Sequence, residues 1–269
     1  MILPESINLE QSDRYVLSIR ITPNNLLYSI TEPGNEKNYY LQETTFSEND
    51  NLLSNIQRII FDFDFLTLEF KQTNVIFVSK DYDLIPASFF DRKKQKDLYN
   101  ITHLTKADHV VSGLIEKQDV VTLFAIDKNI FDFLSRNLWN PQFFHHSNLM
   151  ASMLEEKGKV TGISSKMYLN FHDSFLDVIC FSGSKLVHCI TYEKEAPANQ
   201  LYYILKLWEC CEFDQLADTI YIVGKPDEMI PARLQEYFKK IERINAPSEI
   251  FFWSEDAQKA PLDLISLAL

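Results

Sequence analysis

The chain has 269 residues, 46% of them hydrophobic, enough for one large domain or two of ordinary size with separate cores. Its net charge of −12 excludes the excess of Lys and Arg on which binding to nucleic acid or an anionic membrane depends, so neither is an expected partner. The longest apolar stretches are strand-sized and residues 1–6 show no basic leader start, so no membrane insertion is expected and a cytoplasmic location is.

Residues 15–21 and 26–30 read as two apolar strands joined by the turn Thr22-Pro23-Asn24-Asn25. After a second turn, Glu32-Pro33-Gly34-Asn35, a short strand is expected at 39–41, and Ser47 has the chemistry of an N-cap with acidic residues behind it. Leu52, Leu53, Ile56, Ile59 and Ile60 fall at helical spacing, and 74–79 is a continuous apolar run, as in a strand covered on both faces. Residues 81–118 are less periodic and contain Pro86 and Gly113, which reads as an inserted subdomain or a set of irregular connections. Its basic run, Arg92-Lys93-Lys94-Gln95-Lys96, lies between Asp91 and Asp97 and reads as a solvated face, with docking of an acidic partner as the functional alternative. A buried strand at 120–126 and a helix at 129–137 follow, and Pro141 is expected to end the regular structure of this lobe.

A helix at 147–157 closed by Gly158 predicts a boundary there, giving a first lobe at 1–158 and a second at 159–269. The order then restarts. Strands are expected at 167–172 and 175–181 around Asp173-Ser174, and at 186–192 after the Gly183 turn. A helix at 198–211 carries Leu201, Ile204, Leu205 and Trp208 on one face. A strand at 219–224, a helix starting at Pro226-Asp227 and running to 242, and an apolar helix in 260–269 complete the chain. Both halves thus read β-β-β-α-β-α. The four cysteines show no metal-ligand spacing: Cys210 and Cys211 are neighbours on a helix, and Cys180 and Cys189 are expected on one face of a hairpin as small buried hydrophobes.

This duplicated order resembles the paired ribonuclease-H-like lobes of actin, sugar kinases and heat-shock chaperones, with the actin-like pilus-assembly proteins nearest in pattern. More narrowly, Ile85-Pro86 with Phe89-Phe90, the His145-His146 pair, and Tyr202-Tyr203-Ile204-Leu205-Lys206-Leu207-Trp208 are similar to a bacterial family of uncharacterised proteins with an actin-like ATPase fold. The tail at 263–269 is similar to the closing helix of the pilus-type relatives, with Ser266 where they carry glycine. The resemblance implies an α/β fold of two actin-like ATPase lobes, each a mixed sheet with flanking helices.

Active members of that superfamily bind ATP between the lobes, with an Asp-x-Gly turn after the first strand of each lobe and a Gly-Gly corner for the adenosine. Glycine lets amides converge on phosphate oxygens, and Asp supplies the hard oxygen that Mg²⁺ prefers. Here the first turn, Thr22-Pro23-Asn24-Asn25, has no carboxylate and loses a donor at Pro23. The second, His172-Asp173-Ser174, has Asp but no Gly, and the corner Val223-Gly224-Lys225 keeps one glycine of two. The expectation is therefore a pseudo-ATPase: no catalytic residues, no cofactor, no metal, and a role as a scaffold for an unknown protein partner. The alternative is an ATPase or phosphotransferase using ATP and magnesium, with Thr22, Asn24, Asp173 and Gly224 beside the nucleotide; a small-molecule sensor is a third, weaker reading.

Other constellations read as structural. His172-Asp173 are adjacent and diverge at a strand end, so Asp173 reads as a turn residue. His145-His146 read as a loop pair, and Asp62 and Asp64 as solvated acids at a helix exit or half-buried strand. No nucleophile elbow, P-loop, Rossmann glycine pattern or His-Glu-x-x-His helix is present.

Overall fold

A computed structural model describes residues 7–158, 164–244, 250 and 253–269. By their contacts these divide into two compact units. Unit 1 comprises Met1–Ile115, Asp119–Leu149 and Ser248–Leu269, and unit 2 comprises Glu116–Gln118 and Met150–Pro247. The boundary expected near Gly158 adjoins 159–163, which lie outside the described residues, as do 1–6, read above for a leader. The contact division instead passes between units after Leu149, and it places the last 22 residues, expected in the second lobe, with unit 1.

Unit 1 is built on strands β1 (Val16–Ile21), β2 (Asn25–Glu32) and β3 (Asn35–Thr45), helix α1 (Leu52–Asp62), and strand β4 (Gln72–Phe77). The small inserted sheet contains β5 (Tyr82–Pro86), β6 (Val110–Ile115) and β7 (Val120–Ala125), with helix α2 (Gln95–Thr102) between β5 and β6. Helix α3 (Lys128–Asn137), strand β8 (Pro141–His145) and helix α4 (His146–Gly158) follow. The main sheet runs β3-β2-β1-β4-β8, antiparallel through β1 and parallel from β1 to β8. One face packs Leu17, Ile19, Tyr28 and Val75 against Ile56, Ile59 and Ile60 of α1 and Ile130 and Leu134 of α3. All six residues of β1 are buried, the polar Ser18 and Arg20 included, so both faces of the strand are covered.

Unit 2 repeats the design. Its strands are β9 (Lys166–Phe171), β10 (Phe175–Ser182), β11 (Lys185–Glu193), β12 (Thr219–Gly224) and β13 (Ile241–Ile244), with helices α5 (Pro197–Cys210) and α6 (Met229–Leu234). The sheet order β11-β10-β9-β12-β13 has the same strand senses as in unit 1. The likeness reaches single hydrogen bonds. Thr22 N donates to Asn25 O and Phe46 N to Asn24 O; His172 N donates to Phe175 O and Lys194 N to Ser174 O. The chain closes with α7 (Glu255–Lys259) and α8 (Leu262–Ile265).

Several local expectations are corrected. The cap of α1 is Asn51, whose side chain accepts from Ser54 N at 2.8 Å; Ser47 is held instead by Asn55, which bonds its N–H and C=O at 2.8 and 3.0 Å. Pro141 starts an edge strand, where a missing N–H faces no partner, so it does not end the lobe. The strand at 120–125 belongs to the inserted sheet as its central member, so the insertion reaches beyond 118. The helix expected to run to 242 stops at Leu234, and 241–244 is an edge strand. His145 and His146 form no loop: both are fully buried at the junction of β8 and α4, where His145 bonds Ser147 Oγ through Nδ1 at 2.7 Å and Ser79 Oγ through Nε2 at 3.1 Å. Asp62 and Asp64 do sit at the exit of α1, Asp62 exposed.

Cys180 and Cys189 occupy opposite faces, because a bulge between Cys180 and Phe181 pairs Cys180 with His188 and Ile179 with Cys189. One inserted residue flips the parity of the whole strand. Among the described residues no helix is long and apolar enough to cross a membrane.

Candidate functional site

The turns that close the β1–β2 and β9–β10 hairpins occupy the position of the phosphate loops in the resemblance, and their local bonding decides what they can hold. In unit 1, Thr22 Oγ1 accepts from Asn24 N at 3.2 Å and from Asn25 N at 3.0 Å while donating to Asn25 Oδ1 at 2.6 Å. Asn25 is fixed in turn by Glu43, which accepts from its Nδ2 at 2.7 Å. Every amide of the turn is thereby engaged: Thr22 N on Asn25 O, Asn24 N and Asn25 N on the threonine hydroxyl, and Pro23 has none. Thr22 and Asn24 are thus brought together by each other.

In unit 2, Asp173 stands exposed at the tip of the turn. Gly224 ends β12 opposite Phe171 with φ of +79°, and a Cβ there would lie 2.4 Å from the Phe171 carbonyl oxygen. Its glycine is required by close strand packing, independently of any ligand. Thr22 and Asn24 lie in unit 1, Asp173 and Gly224 in unit 2.

Close to this turn lies a buried carboxylate, Asp177, with several side-chain partners. It is 1% exposed; its Oδ2 lies 2.8 Å from His172 Nε2, and its Oδ1 accepts from Thr191 Oγ1. Asn170 Nδ2 is 2.9 Å from the same imidazole nitrogen, and the ring stacks on Phe175 with centroids 4.2 Å apart. The sequence reading set His172 beside Asp173 and missed this group. Register creates it: Asp177 pairs directly with Asn170 on β9 and Thr191 on β11, and His172 follows two residues after Asn170 on the same face. Polar residues at alternate positions in an otherwise apolar hairpin were the available signal.

A hollow of about 160 Å³ opens beside this turn, with His172, Phe175, Lys194, Gln200, Lys225 and Asp227 in its wall. Helix α5 begins there at Ala196 without a side-chain cap, with Pro197 in its first turn. At the other end of β9, burial lowers the pKa of Lys166. Unit 1 has a wider hollow of about 790 Å³ among Lys80, Asp81, His103, Lys106, Asp127 and Lys128. Its charges already serve the fold: Lys106 bonds the carbonyls of Asn100 and His103, and Asp127 caps α3 through Asn129 N and Ile130 N.

Residues 4–241 match the family described as "Protein of unknown function (DUF3822)", and the chain belongs to that family. No curated protein sequence matches it. Among solved structures it is similar to a protein from Bacteroides thetaiotaomicron described as having an actin-like ATPase fold and unknown function. The TM-score is 0.85 and the identity 24%, over 97% of this chain and 98% of that one. It is also similar to a chain of a PilM–PilN type IV pilus biogenesis complex, with TM-score 0.61 and 13% identity over 94% and 97% of the two chains. The fold is therefore that of the actin-like ATPases, in agreement with the duplicated sheet order.

Proposed function

We propose that this DUF3822 member is a pseudo-ATPase, a non-catalytic actin-like protein that acts in the cytoplasm as an interaction or assembly scaffold for a protein partner. The carrying observation is the closed turn of unit 1, in which Thr22 Oγ1 takes the amides that would otherwise converge on a phosphate. These residues do not fit a magnesium nucleotide: the unit 1 turn has no carboxylate, and Gly224 is occupied by the approach of Phe171. Similarity to a chain of the PilM–PilN complex supports a role in assembly.

The test is a thermal melt with ATP and Mg²⁺, checked by calorimetry. Ligand at ~100 times its dissociation constant stabilises the native state by about 2.7 kcal/mol, several degrees for a chain of this size. No shift is expected at millimolar nucleotide. A magnesium-dependent shift that Asp173→Ala removes would overturn the proposal and favour the ATPase alternative, with Thr22, Asn24, Asp173 and Gly224 near ATP. The observation on that side is the pair Lys194 and Lys225 beside the uncapped start of α5.

A further inference from the structure

The hollow of about 790 Å³ in unit 1 falls in the size range of small-ligand sites, about 300–1,000 Å³. It lies at one end of the inserted sheet. Asp81 leads into β5, Ile126 and Lys128 follow β7, and the end of α2 with the segment behind it supplies the rest of the wall. Several of the charges there are held by neighbours: Asp108 pairs with Lys96 at 3.2 Å, Asp127 caps α3, and Lys106 donates to two backbone carbonyls. Asp81 and Lys128 are exposed and have no ion pair among the described residues.

The third group is Tyr99. It is only 3% exposed, and its ring is stacked on His103 with centroids 3.8 Å apart and 7° between the planes, which fixes where the hydroxyl sits. His103 is held in turn by Asp83, 3.4 Å from its Nδ1, and Asp83 accepts from Thr102 Oγ1 at 2.6 Å. Tyr99 lines the hollow, yet its hydroxyl has no hydrogen-bond partner among the described residues. A buried polar group without a partner is uncommon in a folded chain and calls for one from outside it. Burial, and then the charges of Asp81 and Asp83, push its pKa up to about 12, so the hydroxyl keeps its proton at neutral pH.

We propose that this hollow binds a small zwitterion of the amino-acid class, with its ammonium group between Asp81 and the Tyr99 oxygen and its carboxylate on Lys128. The β5 side carries the carboxylates of Asp81 and Asp83 and attracts a cation. On the other side Lys106 is bonded to neutral carbonyls, so its charge adds to that of Lys128 and favours an anion. A simple amine or a simple carboxylate answers one of these charges and leaves the other bare. Leu104, fully exposed, and the neighbouring Ala107 and Ile126 of the wall offer apolar contact to the ligand's side chain. The site lies wholly in unit 1, goes beyond the scaffold role, and stands whether or not nucleotide binds.

The test is a thermal melt of the intact protein, without nucleotide, against the common L-amino acids taken singly at millimolar concentration, with calorimetry of those that act. At least one should raise the melting temperature by several degrees at saturation, while its N-acetyl and C-amide forms do not. Asp81→Asn and Lys128→Gln should each weaken that ligand at least about tenfold, and Tyr99→Phe about two- to tenfold, because the ring stack stays and only the hydroxyl is lost. Asp81 and Lys128 are exposed, so without ligand their variants should melt as the parent does. The proposal is overturned if no amino acid shifts the melt, if the acetylated or amidated form binds as tightly, or if binding is unchanged in any of the three variants.

Discussion

Replacing Asp263 with Ala removes the carboxylate that holds Arg20, a residue 243 positions away in the chain. Arg20 Nε donates to both oxygens, at 3.0 and 2.8 Å, and the side chains are only 10% and 4% exposed. In the same region Leu264 packs with Ile76 and Leu149, so the tail seals the sheet face opposite α1. Truncation leaves a guanidinium buried without its counter-charge, a situation that costs about 3–5 kcal/mol. At roughly 2–4 °C per kcal/mol for a unit of this size, the melting temperature should fall by roughly 6–20 °C. Differential scanning calorimetry measures the loss, and hydrogen exchange at β1 localises it. Arg20→Met combined with Asp263→Leu should recover most of it, because a packed apolar pair carries no desolvated charge. A fall of under about 2 °C for the single variant would refute the argument. So would a double variant as unstable as Asp263→Ala, which would place the loss in tail packing instead of the ion pair.

Gly224→Ala forces a left-handed backbone onto a residue with a Cβ and drives that Cβ into the Phe171 carbonyl, so a loss of at least about 1–3 kcal/mol is expected in denaturant titration. A variant as stable as the parent would show that β12 can move away from β9. His109, stacked on Phe131 at 3.8 Å, has its pKa lowered mainly by burial, with Lys128 adding to the effect and Asp132 opposing it. The unfolded chain therefore takes up a proton near pH 6.5 that the native state refuses, and stability falls as pH drops through that value towards the lower folded pKa. Melting curves from pH 7.5 to 5 should show this acid loss reduced in His109→Gln; an unchanged pH slope would exclude His109 as its source.

The hairpins and buried strands of both units were legible because continuous apolar runs and two-residue periodicity are local signals, written within ten residues of chain. So was the lack of glycine in the turns Thr22-Pro23-Asn24-Asn25 and His172-Asp173-Ser174, since residue identity is visible without coordinates. The strand at 241–244 was not, because Ile-Glu-Arg-Ile on a short edge strand leaves half its surface in water and carries no apolar run. Nor was the partner of His172. Asp173 is its neighbour in sequence, but strand pairing sets Asp177 across from Asn170 and delivers that carboxylate to the imidazole instead.

The sequence by itself determined the duplication and the α/β class, both properties of composition and short-range spacing. Tertiary structure decided three things that depend on register and long-range packing. A single bulge set Cys189 and Cys180 on opposite faces of the sheet. Strand pairing built the buried Asn170–His172–Asp177–Thr191 group. The buried charge of Arg20 drew the last helix onto unit 1, since a guanidinium taken out of water is tolerated only where a carboxylate comes with it.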